Sequence, residues 1–515
     1  MKRSILIKYG LAALTASTAL FSAGGTVQAQ DNQPASFKAT PGRPNVVFIL
    51  ADNVGYGDLG PYGGGELRGC PTPRCDQLAR EGMRLTQYLV ESACTPSRAA
   101  LMTGQYSIRT GLSLLSAPGS RFQLPANAYT MGQLFKDAGY ATAIFGKWHL
   151  GAGPGAAPTA HGFDEFYGIP LDTSWNDCMT TELILMTHSF PATEQQLNER
   201  GPWIESQKAG EPLQRVKPYT PEVRAEIDND LTDRAIDFMK RQVTAGKPFF
   251  LYLPFSMGHY PNLPSREFAG KSRIGQYGDK MMEGDYHVGQ VMDALKELKI
   301  DDNTILVFCS DNGPSGWIVR EVGNLGSPDM GSPGPFRGEL GEVTEGAIRT
   351  FCFVHWPGHI APGTTSYAMF SEMDFLPTFA AIIGARLPTD RAIDGVDQTA
   401  VLYGKSETGA RDTLLSFIGP DLVAARWKQW RFYFKDMQMT GTGHQMLGGM
   451  YANSTPMYFP KVYDIEMDPH EDINLGGITV FMAGPAYKAI GEYEASVKKY
   501  PNPPCANLTD FRGED

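Results

Sequence analysis

Residues 94–104, Cys94-Thr95-Pro96-Ser97-Arg98-Ala99-Ala100-Leu101-Met102-Thr103-Gly104, put a thiol where a helix should begin. Pro96 suits a first helical turn because its missing N–H has no helical partner there, and Gly104 supplies the stop. Arg98 follows Cys94 by four residues, so one turn returns its guanidinium towards the cysteine. The unpaired N–H groups at a helix start suit an anion beside that thiol. Taken alone, the same pattern also describes a buried structural cysteine on a short helix.

Four other stretches carry chemistry-bearing side chains: Asp52-Asn53, Lys147 with His149, His259, and Asp311-Asn312. Each is ordinary by itself, since Asp-Asn before glycine is also a common turn. The two Asp-Asn pairs offer oxygen donors alone. Such sets favour Ca²⁺ or Mg²⁺ over zinc and copper. Ca²⁺ is the first choice and Mg²⁺ the second, because ligands from separate strands need not be ideally octahedral.

These residues share a place in the predicted architecture. Asn45–Leu50 is a continuous apolar run that suits a strand buried on both faces. Tyr140–Phe145, Phe249–Leu253, Thr304–Cys309 and Ile348–His355 also read as strands. Helix patterns cover Pro73–Gly82, Thr130–Gly139, Thr220–Gln242, Asp279–Leu298 and Asp374–Ile383. Alternating strands and helices predict an α/β fold, a large mostly parallel sheet sandwiched by helices. In such sheets ligands gather beyond the carboxyl ends of the strands, where all four stretches lie. After about residue 405, short pieces at Thr413–Ile418, Leu422–Trp427, Trp430–Phe434 and Val462–Ile465 predict a small C-terminal antiparallel sheet. The predicted division is residues 30–405 as the catalytic α/β domain and 406–515 as a C-terminal subdomain.

The 515 residues are 42% hydrophobic with a net charge of −11, an ordinary composition for a large core. An acidic chain without a basic cluster argues against a nucleic-acid partner. Residues 1–29 read as a secretory signal: a basic start with Lys2, Arg3 and Lys8, a short apolar stretch, and Val27-Gln28-Ala29 before the cut. The expected location is therefore exported, periplasmic or secreted, with no stable membrane anchor. Among seven cysteines, Cys70 and Cys75 lie close enough to pair around a Pro-rich turn. Cys309 and Cys352 read as buried thiols within strands.

The stretch from Cys94 to Gly104 resembles the signature of the formylglycine-dependent sulfatases. Asp52-Asn53 with Gly55-Tyr56-Gly57-Asp58, Gly146-Lys147-Trp148-His149-Leu150-Gly151, His259-Tyr260-Pro261 and Asp311-Asn312-Gly313 are similar to that family's other motifs. Arylsulfatases are the nearest named group. The resemblance implies an alkaline phosphatase-like fold and hydrolysis of a small-molecule sulfate ester. It implies that a maturation enzyme converts Cys94 to formylglycine, whose hydrated aldehyde is the nucleophile. Asp52, Asn53, Asp311 and Asn312 would hold the metal. Lys147 and Arg98 would bind the sulfuryl oxygens, His259 would contact substrate and protonate the leaving oxygen, and His149 would accept a proton as sulfate is expelled. Two positions depart from the pattern. Asn53 stands where the family usually has aspartate, and Leu340 where many members carry a sulfate-binding lysine. Arg320, Arg337 and Arg349 are candidates to replace that lysine. The alternative within the same superfamily is a phosphonate monoester or phosphodiester hydrolase.

Overall fold

The strand β1 (Asn45–Ala51) is buried at every position, so it needs neighbours at both edges and cover on both faces. The computed structural model describes residues 43–115, 122–151, 153, 155–170, 203–259, 262–315, 331–438 and 453–505. The remaining strands of the main sheet are β2 (Met83–Leu89), β3 (Ala141–Lys147), β4 (Glu165–Ile169), β5 (Trp203–Lys208), β6 (Gln214–Pro218), β7 (Phe249–Pro254), β8 (Thr304–Ser310), β9 (Arg349–Thr350), β10 (Cys352–His355) and β11 (Thr364–Ser371). Their order is β11-β2-β10-β8-β1-β7-β3-β4-β5-β6, with β9 paired to β2. The block β8-β1-β7-β3-β4 is parallel throughout.

Side chains of β1 alternate between two helical layers, as a strand's period of two requires. Val47, Ile49 and Ala51 join a cluster with Leu78, Leu231, Phe238, Val288 and Met292. These come from the helices Pro73–Glu81, Pro221–Ala245 and Gln276–Glu297. Val46, Phe48 and Leu50 join the opposite cluster with Leu101, Leu134 and Phe379. Those belong to the helices Cys94–Thr103, Met131–Asp137 and Phe375–Ile383. The expected α/β sandwich is therefore present.

A second, antiparallel sheet is formed by β12 (Thr413–Ile418), β13 (Asp421–Trp427), β14 (Trp430–Gln438) and β15 (Asn453–Asp464). Its Leu415, Phe417, Ala425 and Phe432 share one cluster with Leu89 and Ala100 of the main domain. No helix among the described residues is long and apolar enough to cross a membrane. The predicted signal at 1–29 and Cys178 lie outside the described residues.

Three expectations change. β2 lies between β10 and the edge strand β11, yet neither β2 nor β11 stands out in the sequence as a continuous apolar run. The predicted strand Ile348–His355 is broken: Glu345–Ile348 forms a helical turn before β9 and β10. That turn places buried Glu345 within 2.6 Å of Arg426 and 3.3 Å of Arg349. Cys70 and Cys75 are both free and buried. Cys75 faces the core beside Leu78, and its amide donates to Asp285 Oδ1 at 2.7 Å. Cys309 and Cys352 are free buried thiols, opposite one another on β8 and β10.

The helix Cys94–Thr103 rests on two buried carboxyl groups. Ser107 N donates to Glu91 Oε1 at 3.0 Å, Glu91 N donates to Glu372 Oε1 at 2.9 Å, and Ser97 Oγ donates to the Glu91 carbonyl at 3.3 Å. Burial pushes the Glu91 carboxyl up to about 7. An unfolded glutamate loses its proton near pH 4.3, so this group's stabilising contribution falls as pH rises from there to about 7. Glu91→Gln should match wild type in urea unfolding near pH 4 and exceed it by on the order of 3 kcal/mol near pH 7.5. A difference that does not grow over that window would remove the buried, protonated assignment.

Candidate active site

β1 and β8 run side by side in parallel, with Ala51 opposite Ser310, so the residues that follow them emerge together. Asp52 and Asn53 leave β1, and Asp311 and Asn312 leave β8. Asn53 N donates to Asp311 Oδ1 at 3.1 Å, and Asn312 Nδ2 donates to Asn53 Oδ1 at 2.8 Å. Asn53 has φ 59°, a left-handed conformation that asparagine tolerates better than most residues. On the other side of β1, β7 leads into a turn whose Met257 carbonyl accepts from Asp52 N at 3.0 Å. Gly258 has φ 88°, and a Cβ there would meet the Asp52 carbonyl oxygen at 2.5 Å. That close approach brings His259 to the same strand ends.

The helix Cys94–Thr103 begins across them. Cys94 Sγ lies 3.4 Å from Asp52 Oδ1 and 3.3 Å from Asn53 Oδ1. Donor atoms of Asp52, Cys94 and His259 all fall within 4.8 Å of one another. β3 ends at Lys147, whose Nζ sits 2.9 Å from Asp52 Oδ2. His149 follows two residues later with φ 61°. It is buried, and neither ring nitrogen has a hydrogen-bond partner among the described residues. The structure thus brings together all nine residues singled out from the sequence: Cys94, Arg98, Lys147, His149, His259, Asp52, Asn53, Asp311 and Asn312.

The position of Arg98 differs from the simplest helical expectation. Its guanidinium passes Cys94 and ends between the carboxylates, 2.8 Å from Asp311 Oδ2 and 3.2 Å from Asp52 Oδ2. It also donates to the Lys147 carbonyl at 2.9 Å. Burial alone would raise the Asp52 carboxyl, but Lys147, His259 and Arg98 hold it well below the usual range. Burial and the Asp52 charge together push Asp311 up to about 6. Burial holds the Cys94 thiol well above its ordinary value, so the unmodified side chain is a poor thiolate. Burial, then Lys147 and Arg98, push His149 well down, leaving a neutral imidazole.

Two carboxyls crowded at one spot and two amides, with a buried Asn312 Oδ1 that has no hydrogen-bond partner among the described residues, form an oxygen-rich donor set. This set fits a hard divalent cation. The far wall is apolar. Leu340 packs with Ala93, Cys94 and the partly buried Leu115. Leu340 N donates to the Pro314 carbonyl at 2.9 Å and Gly341 N to the Ser92 carbonyl at 2.8 Å, which fixes that leucine in place. Arg337 pairs instead with Glu471 at 3.4 Å. Arg349 lies over the Phe336 ring at 4.4 Å and donates to the Thr86 carbonyl. Arg320 lies outside the described residues.

Comparison with known proteins agrees with this geometry. The Sulfatase family model matches residues 44–385. Arylsulfatase A of Bos taurus is 35% identical over 88% of this chain and 87% of its own length. Steryl-sulfatase of Mus musculus is 34% identical over 85% and 79%. The PsFucS1 sulfatase of Pseudoalteromonas sp. superposes with a TM-score of 0.81 at 31% identity, covering 90% of this chain and 92% of that one. The match over residues 44–385 and the likeness to these relatives place this chain in the sulfatase family, as a sulfuric ester hydrolase.

Proposed function

We propose that this protein hydrolyses aryl sulfates, using Cys94 in its formylglycine form. The observation that carries this reading is the convergence on Cys94. Its Sγ touches the Asp52 and Asn53 oxygens, with Lys147 on the opposite oxygen of Asp52 and His259 within reach. A maturation enzyme is the partner this reading requires. Converted to formylglycine, Cys94 would supply a hydrated aldehyde with one hydroxyl for attack on sulfur and a second for release of sulfate.

Asp52, Asn53, Asp311 and Asn312 would hold the cation, Ca²⁺ in preference to Mg²⁺. A bound cation would offset negative charge on the sulfuryl oxygens. Lys147 orients those oxygens from the β3 end. Arg98 keeps both carboxylates ionised and aimed at the same point. His259 delivers a proton to the leaving oxygen. His149, neutral and buried, takes a proton from the group at position 94 when sulfate leaves. The apolar flank of Leu340, Leu115 and Ala93 suits the ring of an aryl alcohol better than a second charged contact. Residues 1–29 support export, periplasmic or secreted. The segments 30–405 and 406–515 would serve as catalytic and supporting parts.

Cys94→Ala should lower kcat on an aryl sulfate by at least about 10³-fold with an unchanged unfolding midpoint. Mass spectrometry of the wild-type tryptic peptide 85–98 should find an aldehyde in place of the thiol. Full activity in Cys94→Ala, or faster turnover of an aryl phosphonate than of the matching aryl sulfate, would sink the reading.

Asn53→Asp should tighten the cation site, because a carboxylate adds charge to the ligand set. Titration of chelator-stripped protein with Ca²⁺ should give a Kd lower by about tenfold. A weaker or unchanged Kd would take Asn53 out of that set.

A further inference from the structure

We propose that Arg224 and Asp228 form a buried clamp that positions His259 for proton delivery to the leaving oxygen. This rests on the acid role given to His259 above. Both residues lie on the helix Pro221–Ala245, which is capped by Thr220 Oγ1 accepting from Val223 N at 3.3 Å. Arg224, Ile227, Asp228 and Leu231 form its buried stripe. A helix stripe against a sheet is ordinarily apolar, and two fully buried charges on it are costly unless bonded.

Both charges are bonded to one turn. A single nitrogen of the Arg224 guanidinium, Nη2, donates to the Ser256 carbonyl at 3.0 Å and to the His259 carbonyl at 2.8 Å. Asp228 accepts from Ser256 N and from Ser256 Oγ, each at 2.9 Å. His259 N closes the turn on the Ser256 carbonyl at 3.2 Å. The first and last residues of the turn are therefore pinned to the same helix, and Gly258 leaves the backbone no slack against Asp52.

The network continues behind it. Lys280 Nζ sits 3.2 Å from both Asp228 and Glu283, and Glu283 accepts from Ser265 N at 2.9 Å. Chain on both sides of His259 is thus tied into one buried set of charges. The contacts of Arg224 and Asp228 run to the Ser256–His259 turn and to Lys280, so they act through the placement of His259. A proton donor must sit within hydrogen-bond reach of its target, and a small displacement costs rate.

The test compares wild type, Arg224→Lys, Ser256→Ala and His259→Gln, each as the mature, metal-loaded enzyme. The substrates are phenyl sulfate, whose alcohol must leave with a proton, and 4-nitrophenyl sulfate, whose anion leaves unaided. Lysine keeps the charge opposite Asp228 but lacks the reach and fixed planar geometry of the guanidinium. Arg224→Lys should lower kcat on phenyl sulfate by about 10- to 100-fold, change 4-nitrophenyl sulfate by no more than about twofold, and leave both KM values close to wild type. Ser256→Ala removes one contact of the clamp, and should repeat the pattern at about threefold. It decides the matter alone if Arg224→Lys does not fold. Equal losses on both substrates, or no loss, overturn the clamp. Selective loss in His259→Gln with uniform loss in the clamp variants overturns the clamp only. Uniform loss in His259→Gln overturns the acid role and the clamp with it.

Discussion

The Arg98 guanidinium is fully buried between the carboxylates of Asp52 and Asp311, and it also holds the Lys147 carbonyl. One side chain from the helix Cys94–Thr103 thereby joins the ends of β1, β3 and β8. Its charge offsets both buried acids, with Lys147 adding to that support for each and His259 for Asp52. Removing one member of such a set typically costs about 3–5 kcal/mol, because the remaining charge is left unpaired. The arrangement explains why Cys94 faces two oxygen donors and not solvent: the helix is anchored one turn further in.

Strand ends provide what loops alone would not. β1, β7, β8 and β3 are adjacent and parallel, so their C-terminal residues arrive at one rim at fixed spacing. Local backbone conformations of higher energy occur at that rim, at Asn53 with φ 59° and His149 with φ 61°. Such conformations persist where the surroundings hold them. At Asn53 the holding contacts are visible: Asp311 below its amide, and Asn312 on its side-chain oxygen.

Much of this was legible in the sequence. β1, β7 and β8 are continuous apolar runs, and the chemistry follows each of them directly. β2 and β11 are less legible because polar residues interrupt them, Arg84, Thr86 and Gln87 in β2 and Thr364, Thr365 and Ser366 in β11. Position 340 holds leucine where the resemblance leads one to expect lysine, but whether another arginine compensates is beyond the pattern. The structure gives Arg337 to Glu471 and Arg349 to an aromatic ring, and those choices depend on distant chain. Arg98 is expected at the anion, and the structure pairs its guanidinium with the two carboxylates. Helical spacing fixes which face a side chain leaves from, not what lies at its far end. Arg224 and Asp228 were invisible for a related reason: charges four apart on a helix usually mark its wet face.

The pairing of β1 with β8 joins Asn45 to Thr304 and Ala51 to Ser310. Contacts so distant along the chain form late, since the intervening polypeptide must exist before the loop can close. During synthesis, β1 is made long before its partner leaves the ribosome. Asp52 has no Asp311 to share Arg98 with until then, and the thiol at position 94, only 2% exposed in the finished fold, is still uncovered. Any chemistry on Cys94 that needed a second protein would therefore have a window set by chain length, which closes once Leu340 packs against it.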